Sequence, residues 1–191
     1  MDADFSVELG REDPVLDFPW ADPEGKVAYF DLQRQPELLA RVAEAKQFPE
    51  LGEFLRTVNS ANSMVESAKC DAWATEELSP EEEIFGAARK FASYVDLVFA
   101  RADHRDSFPL HERFAKRLVE LLRRTPETAS SVEVCVRRAF YTADGKTFEG
   151  CYCTVYVSGY GDDEDRARLN WEIGLRLVAN AVLQVSAAGV E

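Results

Sequence analysis

The chain has 191 residues, with 22 Lys and Arg against 35 Asp and Glu, and a formal net charge of −13 at pH 7. This length suits one domain that buries its own core without disulfide bonds. Average apolar content and few Pro and Gly exclude a disordered or collagen-like chain. The longest uncharged stretch, residues 177–190, is too short to cross a bilayer of about 30 Å, so we expect no membrane interaction.

The acidity is concentrated in the first half of the chain. Residues 1–87 contain 20 acidic and 7 basic residues, whereas residues 101–124 carry a small excess of bases. A field of this overall sign repels phosphate backbones, so we expect no nucleic-acid partner. RNA binding on an aromatic sheet platform therefore ranks third among the functional hypotheses.

The cysteines indicate a reducing compartment. The acidic N-terminus lacks the apolar segment of a signal peptide, and Cys70, Cys135, Cys151 and Cys153 are too few for a disulfide scaffold. On one strand, Cys151 and Cys153 would point to the same face about 7 Å apart, too far for a disulfide. We expect free, buried thiols in a cytoplasmic protein.

Periodicity and proline positions divide the first part of the chain. Residues 1–25 are acidic and contain three prolines, which predicts an irregular arm before a single α+β domain at 26–191. Within that domain, β-branched and aromatic residues predict a strand at 27–32. Helical spacing follows from Pro36, and Pro49 occupies the first position of a second predicted helix.

The period then changes to two. Residues 64–75 and 91–99 alternate, with small side chains in one run and large ones in the other, so we expect them to pair as neighbouring strands. Between them, residues 79–86 have the signature of a helix start, here of a short turn. A helical period returns over 107–124.

The clearest local signal is a hairpin around Asp144 and Gly145, because a type I′ turn requires φ > 0 at both positions. Centring the turn there makes one face almost wholly apolar, and a slip of one residue would destroy the match. Helices should cover this face. The predicted cross-strand pairs are Val132–Val157, Val134–Val155, Val136–Cys153 and Arg138–Cys151.

A long helix is predicted to start near Asp162 or Asp163, since acidic residues suit the N-terminus of a helix. Its polar stripe is narrow, which indicates burial either under its own sheet and other helices or in a subunit interface.

The order β, αα, ββ, α, ββ, α predicts an α+β two-layer sandwich. We expect a mainly antiparallel sheet of four or five strands, covered by helices, with a long C-terminal helix. A ferredoxin-like βαββαβ core with an added strand is the leading topology.

The segment after the hairpin resembles a phosphate-binding loop only superficially. Gly159-x-Gly161 begins a dinucleotide fingerprint, but Glu164 stands at the third glycine position. A helix cap explains the acidic residues of this segment, and a divalent-metal site is the less favoured alternative. Those residues are Asp162, Asp163 and Asp165.

No catalytic motif is evident. His104 and His111 lie in charged surroundings without a second His four residues away, which predicts surface positions. Because no nucleophile motif or metal-ligand spacing occurs, the catalytic residues are unknown, and we expect neither a metal nor another cofactor.

The face opposite the covering helices carries large aromatics mixed with single charges, a composition typical of binding surfaces. The alternative is that residues 1–25, with Phe18 and Trp20, fold over it. Lys69, Asp71 and Asp96 share this face. The candidate binding residues are Trp73, Tyr94, Arg137, Tyr152 and Tyr156.

Two functional hypotheses follow. The first is a non-enzymatic binding or protein-interaction module, a homodimer, that uses the aromatic face or the terminal helix. The second is an enzyme that acts on a small anionic substrate held by Arg137 or Arg138. Arg138 is predicted beside Cys151 on the covered face, where an arginine needs a partner or a position at the sheet margin.

Overall fold

A computed structural model describes residues 1–25, 27–78, 82 and 86–189. The chain has an α+β fold, in which a six-stranded open mixed sheet carries helices that include a long C-terminal one. The strands are β1 (Asp2–Glu8), β2 (Val15–Phe18), β3 (Val65–Thr75), β4 (Arg89–Phe99), β5 (Ser130–Ala143) and β6 (Lys146–Gly161). The α-helices are α1 (Ala43–Gln47), α2 (Pro49–Val58), α3 (Phe108–Arg123) and α4 (Glu164–Ala188), and 3₁₀ turns occupy Pro36–Arg41 and Ala102–His104.

The strands are arranged in the order β1-β5-β6-β4-β3. The pairs β3–β4, β4–β6 and β5–β6 are antiparallel. Both N-terminal strands run parallel to β5, with β1 beside residues 131–137 and β2 beside residues 138–141. Strand β5 therefore pairs with both N-terminal strands along one side of the sheet, and β3 forms the opposite edge.

Two expectations about the N-terminal region are wrong. Residues 1–25, predicted to be irregular, contain the two strands that run parallel to β5. Residues 27–32 form no strand, and their only ladder contact is a bridge between Ala28 and Ala21. The aromatic residues that suggested a strand do not pair in the sheet; instead, their rings pack against other side chains. The Tyr29 ring, for example, lies 4.6 Å from that of Phe18. The ferredoxin-like arrangement, which counts 27–32 as its first strand, is not confirmed.

The helix predicted from Pro36 is a 3₁₀ turn followed by the short α1, because Val42 between them is extended. The sheet has six strands and is mixed, where four or five mainly antiparallel strands were expected.

The remaining elements agree with the sequence analysis. The β5–β6 register contains all four predicted pairs, and Asp144 and Gly145 have φ of 51° and 72°. The α2 helix begins at Pro49, β3 pairs with β4, and α3 occupies nearly all of the predicted span. Asp163 caps α4, because its carboxylate accepts a hydrogen bond from the Arg166 amide at 2.8 Å. The turn predicted at 79–86 lies largely outside the described residues.

The main core lies between the helices and the apolar face of the sheet. The valines of the hairpin and Cys153 pack under α2, α3 and α4, as the alternation predicted. Trp171 is fully buried at the centre, where its indole N–H donates to the Ser93 hydroxyl at 2.8 Å. A large ring stabilises the fold most when its apolar surface is buried and its N–H makes a hydrogen bond. The apolar side of α4 is thus used inside this chain.

A second apolar cluster covers one end of the opposite face. Four residues of the N-terminal region, which we call the strap, cover part of the ends of β4, β5 and β6 nearest Tyr141. The Trp20 indole N–H donates to the backbone carbonyl of Ala68, an edge-strand residue. The suggestion that Phe18 and Trp20 fold over this face is therefore correct for this end. The strap residues are Leu16, Phe18, Trp20 and Tyr29, and they pack against Ala139, Tyr141 and Tyr152.

Within the residues that the structure describes, no helix combines the length and the apolar character needed to cross a bilayer.

Gly159 and Gly161 serve close packing between β6 and α4. A methyl group at Gly159 would collide with the backbone nitrogen of Trp171 and the carbonyl oxygen of Ala167. Neither atom belongs to a flexible side chain that can move aside. This packing explains the Gly-x-Gly spacing without a phosphate ligand.

We predict that Gly159→Ala lowers the free energy of unfolding by about 3 kcal/mol or more, because an overpacked contact with backbone must displace the helix. Urea denaturation measures the change. Ser158→Ala is the matched control, because Ser158 is the adjacent residue and points to the opposite face. Equal stability of the two variants would contradict the proposed close contact.

Candidate functional site

The five candidate binding residues all project from the face opposite the covering helices. The register pairs Tyr94 with Tyr156 and Arg137 with Tyr152. Trp73 lies two residues from Asp71, the partner of Tyr94 across β3 and β4. The expected grouping is thus present in the sheet, but the five side chains differ in their accessibility.

Three of these residues form a row across β3, β4 and β6, which we call the aromatic row: Trp73, Tyr94 and Tyr156. The ring centroids are 6.4 Å apart for Trp73 and Tyr94, and 6.2 Å apart for Tyr94 and Tyr156. Trp73 is 38% exposed at the edge strand, and the two tyrosines are half-buried. Burial and the nearby Asp96 raise the pKa of Tyr94, so its phenol stays neutral and able to donate.

Tyr152 is not available to a ligand. Only 3% of its surface is exposed, because it belongs to the apolar cluster under the strap. The sequence analysis placed Tyr152 on the correct face but could not show that a distant segment covers it. Its role in binding stays a prediction, and the structure places its side chain under the strap.

Arg137 is the centre of a buried polar network. Its Nε donates to Glu8 at 2.7 Å, and its Nη1 donates to Thr154 and to the Tyr156 hydroxyl, each at 3.0 Å. The guanidinium also lies over the Tyr156 ring at 5.4 Å. Partners supplied by β1 and β6 thus occupy the Nε and Nη1 donors of Arg137.

Arg138 projects to the other face, at the margin of the sheet. Its Nη2 donates to the Gly10 carbonyl at 3.0 Å, and its Nη1 lies 4.0 Å from the Glu149 carboxylate. The marginal position agrees with the alternative considered from the sequence. Because neighbouring residues of a strand point to opposite faces, Arg137 and Arg138 cannot hold one substrate together.

Asp96 is a buried acid beside this network. It is 6% exposed and accepts a hydrogen bond from the Thr154 hydroxyl at 2.7 Å. Burial raises the pKa of Asp96 to about 6, while the Thr154 hydrogen bond and the charges of Arg137 and Lys69 oppose the shift. Strong pKa shifts in buried acids are frequent at functional sites, although structural networks also produce them.

A cavity of about 390 Å³ adjoins the aromatic row, and we call it the Tyr94 cavity. Its walls are parts of the segments 27–32, 41–44 and 67–71, together with the rings of Trp20 and Tyr94. Arg41 lies 4.9 Å from the centre of the Phe30 ring, and Lys69 lies 5.5 Å from that of Trp20. Within the described part of the chain, neither cation forms an ion pair. The sequence analysis missed this cavity, because its walls come from segments far apart in the chain.

The histidines differ from expectation. His111 is buried, not on the surface, with its ring 4.6 Å from that of Phe99 and its Nδ1 2.8 Å from the Ser107 carbonyl. Burial lowers the pKa of His111 to about 4. His104 is half-buried beside the same Phe99 ring. These contacts give both histidines a packing role.

The acidic residues after β6 do not assemble a metal site. Asp163 caps α4, whereas Asp162 and Asp165 are exposed. Among the described residues, these acids belong to no group of side chains with metal-ligand spacing. All four cysteines are free, as expected.

No family model, curated protein sequence or solved structure matches this chain.

We predict that Asp96→Asn stabilises the protein above pH 6. A raised pKa means that the folded state binds a proton more tightly than the unfolded state. The free energy of unfolding therefore falls as the pH rises from about 4 to about 6, and remains lower above that range. Asn keeps the Thr154 hydrogen bond without the buried charge, so the gain at pH 8 should be about 3 kcal/mol.

Urea denaturation of both proteins between pH 4 and pH 8 measures this difference. Asp71→Asn is the control, since Asp71 is exposed on the same face. A stability difference between Asp96→Asn and the parent protein that does not change with pH would mean that the pKa of Asp96 is not raised.

Proposed function

We propose that this protein is a non-enzymatic binding module, and that its ligand occupies the Tyr94 cavity against the aromatic row. The observation that carries the proposal is the cavity itself, whose volume lies within the usual range for small-molecule sites. Tyr94 belongs to both features, so a ligand in the cavity has direct access to the exposed rings.

The lining favours a small molecule with a planar, partly apolar body. Trp20, Phe30 and Tyr94 offer rings, which provide large contact areas at low conformational cost. Charged side chains of both signs surround these rings: Arg41 and Lys69, with Glu44 and Asp71 nearby. This balance supports binding of a neutral or singly charged ligand rather than a polyanion.

The chemistry of the lining gives catalysis less support. Cys70 is one of the nucleophilic side chains in the cavity lining, and burial raises the pKa of its thiol to about 12. Such a thiol stays protonated and reacts poorly. The alternative, an enzyme that holds a small anion with Arg137 or Arg138, has less support because protein groups already bind the Nε and Nη1 of Arg137 and the Nη2 of Arg138. The buried Nε of Arg138 makes no hydrogen bond among the described residues.

A second candidate is association with a protein partner or a second copy of the chain through Trp73. This ring is exposed on β3, an edge strand, and edge strands present unpaired backbone groups to other chains. The terminal helix, the other surface expected from the sequence, has less support because most of its apolar residues lie in the core.

We predict that neutral indole and its anionic relative indole-3-acetate bind in the Tyr94 cavity. In ¹H–¹⁵N NMR spectra, the Trp20 indole N–H and the Tyr94 amide should shift saturably. Ala43→Phe adds a ring to the cavity wall and should weaken binding by about tenfold or more, whereas Ala40→Phe should not, because Ala40 is also exposed but does not line the cavity. Absence of saturable shifts with both probes, or equal effects of both substitutions, would contradict the proposal.

For the second candidate, we predict that the protein sediments as a dimer in analytical ultracentrifugation and that Trp73→Ser shifts it toward monomer. An exposed aromatic ring buried at an interface is the type of residue that contributes most to association. Leu169→Ser, at an exposed apolar residue of α4, is the control. A monomeric parent protein, or a dimer that Trp73→Ser leaves intact, removes this surface from consideration.

A further inference from the structure

Three side chains with metal-binding atoms meet at the β1 edge of the sheet, away from the Tyr94 cavity. The parallel register places Ser6 beside Cys135, and Glu8 beside Arg137, so alternate residues of β1 share the face of the aromatic row. One carboxylate oxygen each from Glu8 and Glu133, and the Cys135 Sγ, all lie within 4.8 Å of one another.

Neighbouring groups hold these three side chains in place. The Ser6 hydroxyl lies 3.3 Å from a Glu133 carboxylate oxygen and 3.2 Å from the Cys135 Sγ. Arg137 fixes Glu8 through its Oε2 atom at 2.7 Å, while the other carboxylate oxygen makes no hydrogen bond within the described part of the chain. Outer hydrogen bonds of this kind orient metal ligands and increase affinity. The arrangement therefore has both ligand atoms and a supporting shell.

We propose that Glu8, Glu133 and Cys135 form a site for a thiophilic divalent cation, with Zn²⁺ as the reference ion. A sulfur ligand beside two carboxylates suits Zn²⁺ and Co²⁺ and disfavours Mg²⁺ and Ca²⁺, which prefer oxygen ligands alone. Three protein ligands leave one tetrahedral position for water or for the Ser6 hydroxyl. The exposed side chain of Glu133 gives the ion a route from solvent.

The charges of the site balance when the cation is bound. The two carboxylates and a thiolate carry three negative charges, Arg137 carries one positive charge, and the ion supplies two. Burial raises the pKa of the Cys135 thiol to about 12, as it does for Cys70, so the thiol is protonated in the free protein. Its proton leaves to solvent as the sulfur–metal bond forms, and that bond supplies the free energy of deprotonation, so the step conserves charge and atoms. A neutral site is favoured here because Cys135 and Arg137 are largely buried.

A small movement completes the geometry. Ligand atoms around a tetrahedral ion lie about 3.5 Å apart, somewhat closer than the 4.8 Å limit that encloses this group. Cys135 is fixed on a central strand and Glu8 is held by Arg137. Of the three side chains, that of Glu133 is the exposed one and can move toward the ion.

Titration of the purified full-length protein with Co²⁺ tests the proposal, because a cobalt–thiolate bond produces a near-ultraviolet charge-transfer band. We expect one equivalent to bind with this band. Cys135→Ser should abolish the band, and Glu133→Gln should weaken Co²⁺ binding by about tenfold or more. Cys70→Ser is the matched control and should change neither, because Cys70 lies on β3, outside this group.

The proposal is overturned by the absence of saturable one-to-one binding, or by a band that survives Cys135→Ser or is lost in Cys70→Ser. Circular dichroism checks that Cys135→Ser folds, and the exposed Glu133→Gln variant tests the same site without changing the core. Ala43→Phe should bind Co²⁺ as the parent protein does, so failure of the metal site and failure of the Tyr94 cavity are separate results.

Discussion

The register of the β5–β6 hairpin is the constraint on which the rest of the structure depends. Strands β1 and β2 pair with the outer side of β5, and β4 pairs with the outer side of β6. Because side chains alternate along a strand, a shift of one residue would move the apolar side chains of the shifted strand to the polar face. The same register brings Gly159 under the backbone of α4 and Trp171 against Ser93. The turn at Asp144 and Gly145 thus determines where both layers form.

Placing charged groups at the centre of a sheet face costs free energy unless they are paired. Here Arg137 is satisfied by Glu8 from β1 and by groups from β6, so the parallel edge strand is part of what makes the central arginine tolerable. Asp96 receives one hydrogen bond from Thr154 and remains a destabilising charge near neutral pH.

Local sequence patterns predicted the elements that depend on local physics. The Asp-Gly turn, the alternating valines and the capped terminal helix could all be read without knowledge of the partner segments. The strand at Asp2–Glu8 also alternates polar and apolar residues, but its acidity and the prolines that follow it suggested an irregular arm. Residues 27–32 have the composition of a strand, yet aromatic residues also suit packing over a sheet, and composition does not distinguish the two. Burial of Tyr152 and His111, and the Tyr94 cavity, depend on contacts between distant segments, which no local pattern contains.

Arg137 links the β1 edge of this face to the aromatic row. Its guanidinium contacts Glu8 near the β1 edge, Tyr156 in the aromatic row, and Thr154, which in turn donates to Asp96. A lysine could not replace it, because a single ammonium group cannot direct planar donors to both sides while its face lies on a ring. Any movement of Glu8 or of Tyr156 changes a hydrogen bond of the same guanidinium. Hydrogen bonds of one buried side chain thus connect the β1 edge with the aromatic row, whose exposed end is Trp73.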